Sequence, residues 1–329
     1  MTDPGRLEVL APGGVGEVVT GDDLAALALR HCDLVDGDVL AVTSKVVSKA
    51  EGRVRSGDRE TSLESETARV VARRGPTTIV RTHHGLTLAA AGIDNSNVAA
   101  GHHVLLPSDP DASARWIRAD IAAGGPNIGV IVTDTAGRAW RTGQTDIAIG
   151  AAGLLVAESF AGRHDAHGNA LMVTEPAVAD ELAGAAELAS GKLGGRPFRV
   201  LRGRPDLVLP RGEDGPGAAA LLRADGADMF GYGAREAVLQ ALRGQGQRVF
   251  GSPATAEELA DALRSLTPEA LVDSDGEVLV LGAPTPYAGW RHAARTLAFA
   301  YGWSPADDPL MSQPGDADPT ELRFRRSSP

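Results

Sequence analysis

Apolar β-branched runs that stop abruptly at short polar residues recur along this chain. Val130, Ile131 and Val132 form one, followed by Asp134, Thr135, Gly137 and Arg138; Val39 to Val42 form another, followed by Thr43, Ser44 and Lys45, with Ser48 and Lys49 beyond. Both runs predict strands buried on both faces. Leu7 to Leu10 and Phe198 to Leu201 predict further strands, and Thr78 to Arg81 with Leu86 to Ala90 predict a pair joined through His83-His84-Gly85. Helical spacing appears between them. Asp22 or Asp23 caps Leu24, Leu27 and Leu29, and Thr61 with Glu64 has capping-box spacing before Ala68, Val70, Val71 and Arg74. Ser108 with Asp111 precedes Trp116, Ile117 and Ile121, and Pro176 opens an amphipathic helix through Val178, Leu182 and Leu188. The mixture predicts an α/β (α+β) fold.

From about Arg235 a second set of elements is predicted: a helix Glu236 to Leu242, a strand Val249 to Gly251, a helix Ala256 to Leu266, a strand Val278 to Leu281 and a helix Trp290 to Tyr301. RGEDGPGA at Arg211 to Ala218 has linker composition. The expected organisation is a main domain over 1–230, a small α/β appendage over 231–303 and a disordered tail over 304–329, rich in Pro, Asp and Ser.

Composition narrows the classes. A hydrophobic share of 43% in 329 residues suits globular domains, and no apolar run is long enough to span a bilayer. With no signal-like start, the expected location is the cytoplasm. The single cysteine, Cys32, excludes an internal disulfide and a Cys-rich zinc site. A net charge of −11 argues against general affinity for nucleic acid or anionic membranes, leaving small molecules and other protein chains as partners.

The candidate chemistry lies where the apolar runs stop. In open α/β sheets ligands bind beyond the carboxyl ends of strands, so Asp134 and Thr135 there can reach a cation or a phosphate. Arg138, Arg141 and Gln144 follow on a glycine-containing loop able to approach an anion. Lys45 and Lys49, four apart, can share one helical face toward a triphosphate or be ordinary solvated lysines. Asp94 and Asn97 in AGIDNSNV offer a second oxygen ligand and a nucleotide contact, or simply an Asx-turn. The turn APGGVGEV at Ala11 to Val18 can cradle a base or phosphate or be a plain strand exit; it lacks the third glycine of the dinucleotide fingerprint. Asp134-Thr135-Ala136-Gly137 matches the DxxG element of GTPases, but no GxxxxGK[ST] accompanies it, so a standard GTPase is rejected.

Three ordered stretches together carry a resemblance: VTSKVVSKAEGR at Val42 to Arg53, AAGIDNSNV at Ala90 to Val98, and TDTAGRAWRTGQTDIAIGAAG at Thr133 to Gly153. With DAHGNALMVTE and the helix from Ala177 to Lys192, they resemble the coenzyme F420-0:L-glutamate ligase (γ-glutamyl ligase) family over roughly residues 5 to 230. The resemblance implies the family's own α/β fold, a homodimer, and ligation of L-glutamate to the lactyl carboxylate of F420-0. GTP would be the co-substrate, an acyl phosphate the intermediate, and further γ-linked additions would follow. On matching positions, Val15, Gly16, Glu17, Val18, Ser44, Lys49 and Asn97 would contact GTP. Asp94, Asp134 and Thr135 would hold Mg2+ or Mn2+, with K+ a further candidate ion. Lys49, Asp134 and Arg138 would act on the phosphoryl group. Gly16 stands where the family commonly has proline. Some actinobacterial relatives carry a C-terminal flavin-binding domain, for which the stretch after Arg235 is too short, so no flavin reaction is expected. The same residue set also admits a metal-dependent nucleotide phosphohydrolase or a non-catalytic nucleotide-binding regulator.

Overall fold

The structure, a computed structural model, describes residues 5–266, 269–275, 277–283, 288–306 and 321–327. The chain divides into two compact units, Met1–Val70 with Arg74–Leu222, and Val71–Arg73 with Arg223–Pro329. Among the described residues no helix is long and apolar enough to cross a membrane.

The first unit runs β1 (Glu8–Leu10), α1 (Leu24–His31), β2 (Val39–Thr43), α2 (Ser44–Ala50), β3 (Val54–Ser56), α3 (Arg59–Glu66), β4 (Thr67–Arg74), β5 (Thr77–Thr82), β6 (Thr87–Ala89), β7 (His102–Val104), α4 (Pro110–Ala122), β8 (Gly129–Arg138), β9 (Arg141–Ala152), β10 (Arg163–His164), β11 (Ala170–Leu171), α5 (Val178–Ser190) and β12 (Phe198–Arg202). Its main sheet has the order β1-β12-β2-β8-β9, and β2 with β8 is its one parallel pair. The apolar runs behave as their composition requires. Leu40, Val42, Val130 and Val132 pack on one face with Ala28 of α1 and Ile117 and Ile121 of α4, while Val39, Ala41 and Ile131 pack on the other with Val178, Leu182 and Ala186 of α5. At Gly150 a side chain has no room, because a Cβ would stand 2.3 Å from the Pro110 carbonyl oxygen.

Arg118 of α4 pins this packing. Buried, it donates to the carbonyls of Ile128 at 2.9 Å and Pro210 at 3.0 Å and to Asn127 Oδ1 at 3.1 Å, and it pairs with Asp214 at 3.0 Å. Arg118→Leu leaves these acceptors unpaired and is expected to cost about 3 kcal/mol in urea-induced unfolding. A loss within 0.5 kcal/mol, on the scale of an ordinary surface substitution, would contradict that account.

Several expectations are corrected. The helix after Thr61 ends at Glu66, and the residues expected to continue it, Ala68 to Arg74, form β4 instead. The cap of α3 is Asp58, whose carboxylate accepts from the amides of Glu60 and Thr61, and TARVV beyond it is too rich in β-branched residues to prolong the helix. Asp109, not Ser108, caps α4 through the Ala112 amide at 2.9 Å. Asp111 serves elsewhere, accepting from the Ala151 and Ala218 amides, both at 2.7 Å. The loop expected after Asp134 is a hairpin: β8 and β9 stay paired through Arg138↔Arg141, with irregular register at Val132/Thr133 and Gly137/Arg138.

The second unit contains α6 (Ala234–Arg243), α7 (Ala256–Leu266), β13 (Leu271–Ser274), β14 (Val278–Gly282), α8 (Trp290–Ala300), β15 (Trp303–Pro305) and β16 (Glu321–Arg326). Its antiparallel sheet has the order β13-β14-β16-β15, and its core holds Leu259, Leu263, Leu279, Trp303 and Phe324. The Val249–Gly251 strand expectation fails: Gln247–Phe250 is a 3-10 turn between Gly246 and Gly251, both at positive φ. The tail expectation fails for residues 304–305 and 321–326, which form strands. In ELRFRR, Leu322 and Phe324 alternate into the core, a period of two that outweighs the polar composition around it. The tail residues 307–320, 328 and 329 lie outside the described set.

Candidate active site

Parallel pairing makes the site. Because β2 and β8 run together in register, Thr43 opposite Thr133, the two polar exits of the apolar runs meet at one sheet edge. The Ser44 hydroxyl donates to Asp134 Oδ1 at 2.8 Å across ninety positions of sequence. Helix α2 starts at Ser44 and carries Lys45 and Lys49 to the segment after β6. Lys45 Nζ lies 2.6 Å from Asp94 Oδ2 and 2.5 Å from Ser96 Oγ. Lys49, buried, donates to the Asn97 carbonyl at 2.7 Å and is ion-paired with Glu17. Asp94 is fixed in turn: its carboxylate accepts from the Ser96 amide at 2.7 Å, and its backbone bridges to Val104. Asn97 takes a left-handed φ of 56°, as Asn tolerates in turns.

The first glycine-rich loop therefore joins the site through Glu17. Val15 and Val18 point into the main core, so only their backbone groups can face a ligand, whereas Gly16 and Glu17 are exposed. Among the described residues no hydrogen bond or ion pair brings Arg138 to this cluster; it lies exposed near the hairpin tip and donates to the Thr142 carbonyl at 3.2 Å.

Around the expected Thr135, two partners, Asp146 and Lys192, were not among the expected residues. Thr135 faces Asp146 across the hairpin, and its hydroxyl donates to Asp146 Oδ1 at 2.7 Å while accepting from Lys192 Nζ at 2.9 Å. Lys192 also lies 3.7 Å from Glu187, which accepts from the buried Arg199 at 2.7 Å. The signal for Asp146 was present in the TGQTDIAIG stretch, where it is the acidic residue next to a β-branched run. Gly191-Lys192 is followed by Leu193 rather than Ser or Thr, so it does not complete a P-loop.

Charge is concentrated unevenly here. Burial, aided by the negative charge of Asp146 and Asp94, pushes the Asp134 carboxyl up to about 7 against the Ser44 hydrogen bond. Burial also acts upward on Asp94, but hydrogen bonds from Lys45 and the Ser96 amide outweigh it and hold that carboxyl below its ordinary value. The surrounding donors, Asp94, Asp134, Asp146, Ser44 and Thr135, are all hard oxygens. Among the described residues no three His, Cys, Asp or Glu side chains form a ready-made metal cage. Such hard-oxygen donors could hold Mg2+ or Mn2+, since Mg2+ keeps several waters and takes only one or two carboxylates. Asp134 would be the principal ligand, with Thr135 and Asp94 beside it.

Comparison with known proteins gives one consistent answer. The family model described as F420-0:Gamma-glutamyl ligase matches residues 14–65 and 60–203. The chain is 39% identical over 222 residues to the coenzyme F420:L-glutamate ligase of Halobacterium salinarum, covering 60% of this chain and 87% of the relative. It is 38% identical over 237 residues to the enzyme of that name from Methanopyrus kandleri (65% and 93% covered) and 40% identical over 243 residues to that from Natronomonas pharaonis (63% and 93% covered). The residues gathered at the β2–β8 edge all lie inside the matched region, and the chain belongs to the F420-0:gamma-glutamyl ligase family.

Proposed function

We propose that this chain joins L-glutamate to the terminal carboxylate of coenzyme F420-0, using GTP and a divalent cation, and extends the product by further γ-linked glutamates. The observation that carries this reading is the meeting of Ser44, Asp94, Asp134 and two lysines at the shared end of β2 and β8. A carboxylate resists attack by an amine, so it must first receive a good leaving group. In the proposed reaction a carboxylate oxygen of F420-0 attacks the γ-phosphorus of GTP, GDP departs, and an acyl phosphate results. The glutamate amine then attacks the carbonyl carbon, inorganic phosphate leaves, and the amine gives up a proton.

The chain's own residues serve this sequence by position and charge. Lys49 and Lys45, held on one face of α2, bind phosphate oxygens after leaving their present acidic partners. The backbone of the Val15–Val18 loop and Asn97 lie beside Lys49 and contact the nucleotide. Asp134, Asp94 and Thr135 hold the Mg2+ or Mn2+, which when bound neutralises charge on the transferring phosphoryl group. Arg138, exposed near the hairpin tip, would add a positive charge toward the phosphoryl group. The same reading carries a homodimer, and the exposed apolar side chains of Trp140, Val173, Leu188 and Leu193 are candidates for its interface.

Incubation of the purified chain with GTP, Mn2+, L-glutamate and F420-0 is expected to give products heavier by successive glutamyl units in mass spectrometry. GTP hydrolysis without glutamate transfer, or nucleotide binding without turnover, would overturn the ligase reading.

A further inference from the structure

Asp146 has so far been named only as an oxygen donor beside Thr135, and the proposed reaction gives it no part. It is buried, forms no salt bridge among the described residues, lies within electrostatic reach of the buried Arg199 guanidinium, and accepts one side-chain hydrogen bond, from Thr135. Burying a carboxylate near Asp134 is unfavourable, and the Arg199 guanidinium offsets part of that cost; the contact with Thr135 is the one direct side-chain hydrogen bond it makes among the described residues. The hairpin register supplies the geometry, because Thr135 and Asp146 are direct cross-strand partners on β8 and β9. A hydroxyl has one proton and two lone pairs. With the proton committed to Asp146 at 2.7 Å, both lone pairs of Thr135 Oγ1 are turned away from β9, and one of them faces the Lys192 ammonium at 2.9 Å. The Lys192 ammonium at 2.9 Å is a hydrogen-bond donor to that oxygen, so the lone pair on this side is open to a positively charged group.

We infer that Asp146 is a positioning residue: by holding the Thr135 proton it fixes the hydroxyl with its lone pairs presented to the divalent cation, without touching that cation itself. The inference rests on the metal role of Thr135 in the proposed reaction. Removal of a partner that orients a metal ligand characteristically weakens metal affinity 10–100-fold. Lys192 contributes the complementary feature, an ammonium that occupies the lone pair and is displaced when the ion enters.

Mn2+ titration of the full chain, followed by electron paramagnetic resonance in the absence of substrates, tests this directly. Asp146→Ala is expected to weaken Mn2+ binding roughly 10–100-fold. Asp146→Asn keeps a carbonyl oxygen able to accept the Thr135 proton and should stay within about fivefold of the parent, on the expectation that orientation rather than charge matters. In a Thr135→Val background Asp146→Ala should add nothing, since the group it acts through is gone. Thermal unfolding of each variant in chelator separates folding from metal affinity. Unchanged Mn2+ affinity in a folded Asp146→Ala protein, or equal losses in the Ala and Asn variants, would overturn the inference while leaving the ligase reading intact. A parent chain that binds no Mn2+ would overturn both.

Discussion

Asp134→Ala is expected to lower glutamate addition at least about 10³-fold, the scale of losing a central electrostatic contact in a phosphoryl-transfer site, while the protein remains folded. The reasoning is local. Asp134 follows the buried run of β8, accepts from the Ser44 hydroxyl and feels the negative charge of both Asp146 and Asp94, so it is the carboxylate on which a cation would gain most. The fold does not depend on its charge, because the run before it, Val130 to Val132, is already buried without its help. Mass-spectrometric counting of glutamyl products, with circular dichroism on the same sample, reads both halves of the expectation. Activity within tenfold of the parent would remove Asp134 from the cation site.

The same residue should dominate the pH dependence of stability in chelator-treated protein. Its carboxyl moves from 3.8 to about 7 on folding, so the fold favours the protonated form. Stability from this group is therefore complete below about pH 4, declines as the pH rises, and is gone above about 7; the ceiling is on the order of 4 kcal/mol. Asp134→Asn carries no such titration. It should match the parent near pH 4 and exceed it by a few kcal/mol at pH 8, measured by urea unfolding in chelator. Saturating Mg2+ or Mn2+ should close the gap at pH 8, because the ion binds the ionised carboxylate of the parent and stabilises the folded state by mass action. Parallel stability curves for the two proteins across pH 4 to 8 would refute the account. A variant that is more stable yet inactive would place this site among those where function is kept at the expense of stability.

Much of this site was legible in the chain because strand exits are local signals. The change from Val132 to Asp134 and from Val42 to Ser44 marks where burial stops, and the resemblance supplied which exits belong together. The pairing itself was less accessible: nothing near Val39 or Val130 states that these strands are parallel neighbours, since register is decided by contacts ninety residues apart. Asp146 and Lys192 were missed for that reason. Each gains its meaning only from Thr135, which one meets across a hairpin read as a loop and the other across 57 positions of sequence. The misread helix at Ala68 to Arg74 has a different origin. Capping spacing was credited to Thr61, whereas Asp58 begins a helix already spent by Glu66. In the second unit, polar composition hid the two-residue alternation of Leu322 and Phe324, which packing inside a sheet makes decisive.

The one parallel pair within the main sheet also governs when competence arises. Contacts of such high sequence separation require a long loop to close before they reward the chain, and they form late relative to hairpins and helices. On the ribosome, Ser44 and Lys49 would emerge well before Asp134, with no partner yet made. A nascent chain arrested short of β8 lacks the carboxylate that Ser44 holds, so this cluster cannot assemble until β8 has emerged, by topology alone.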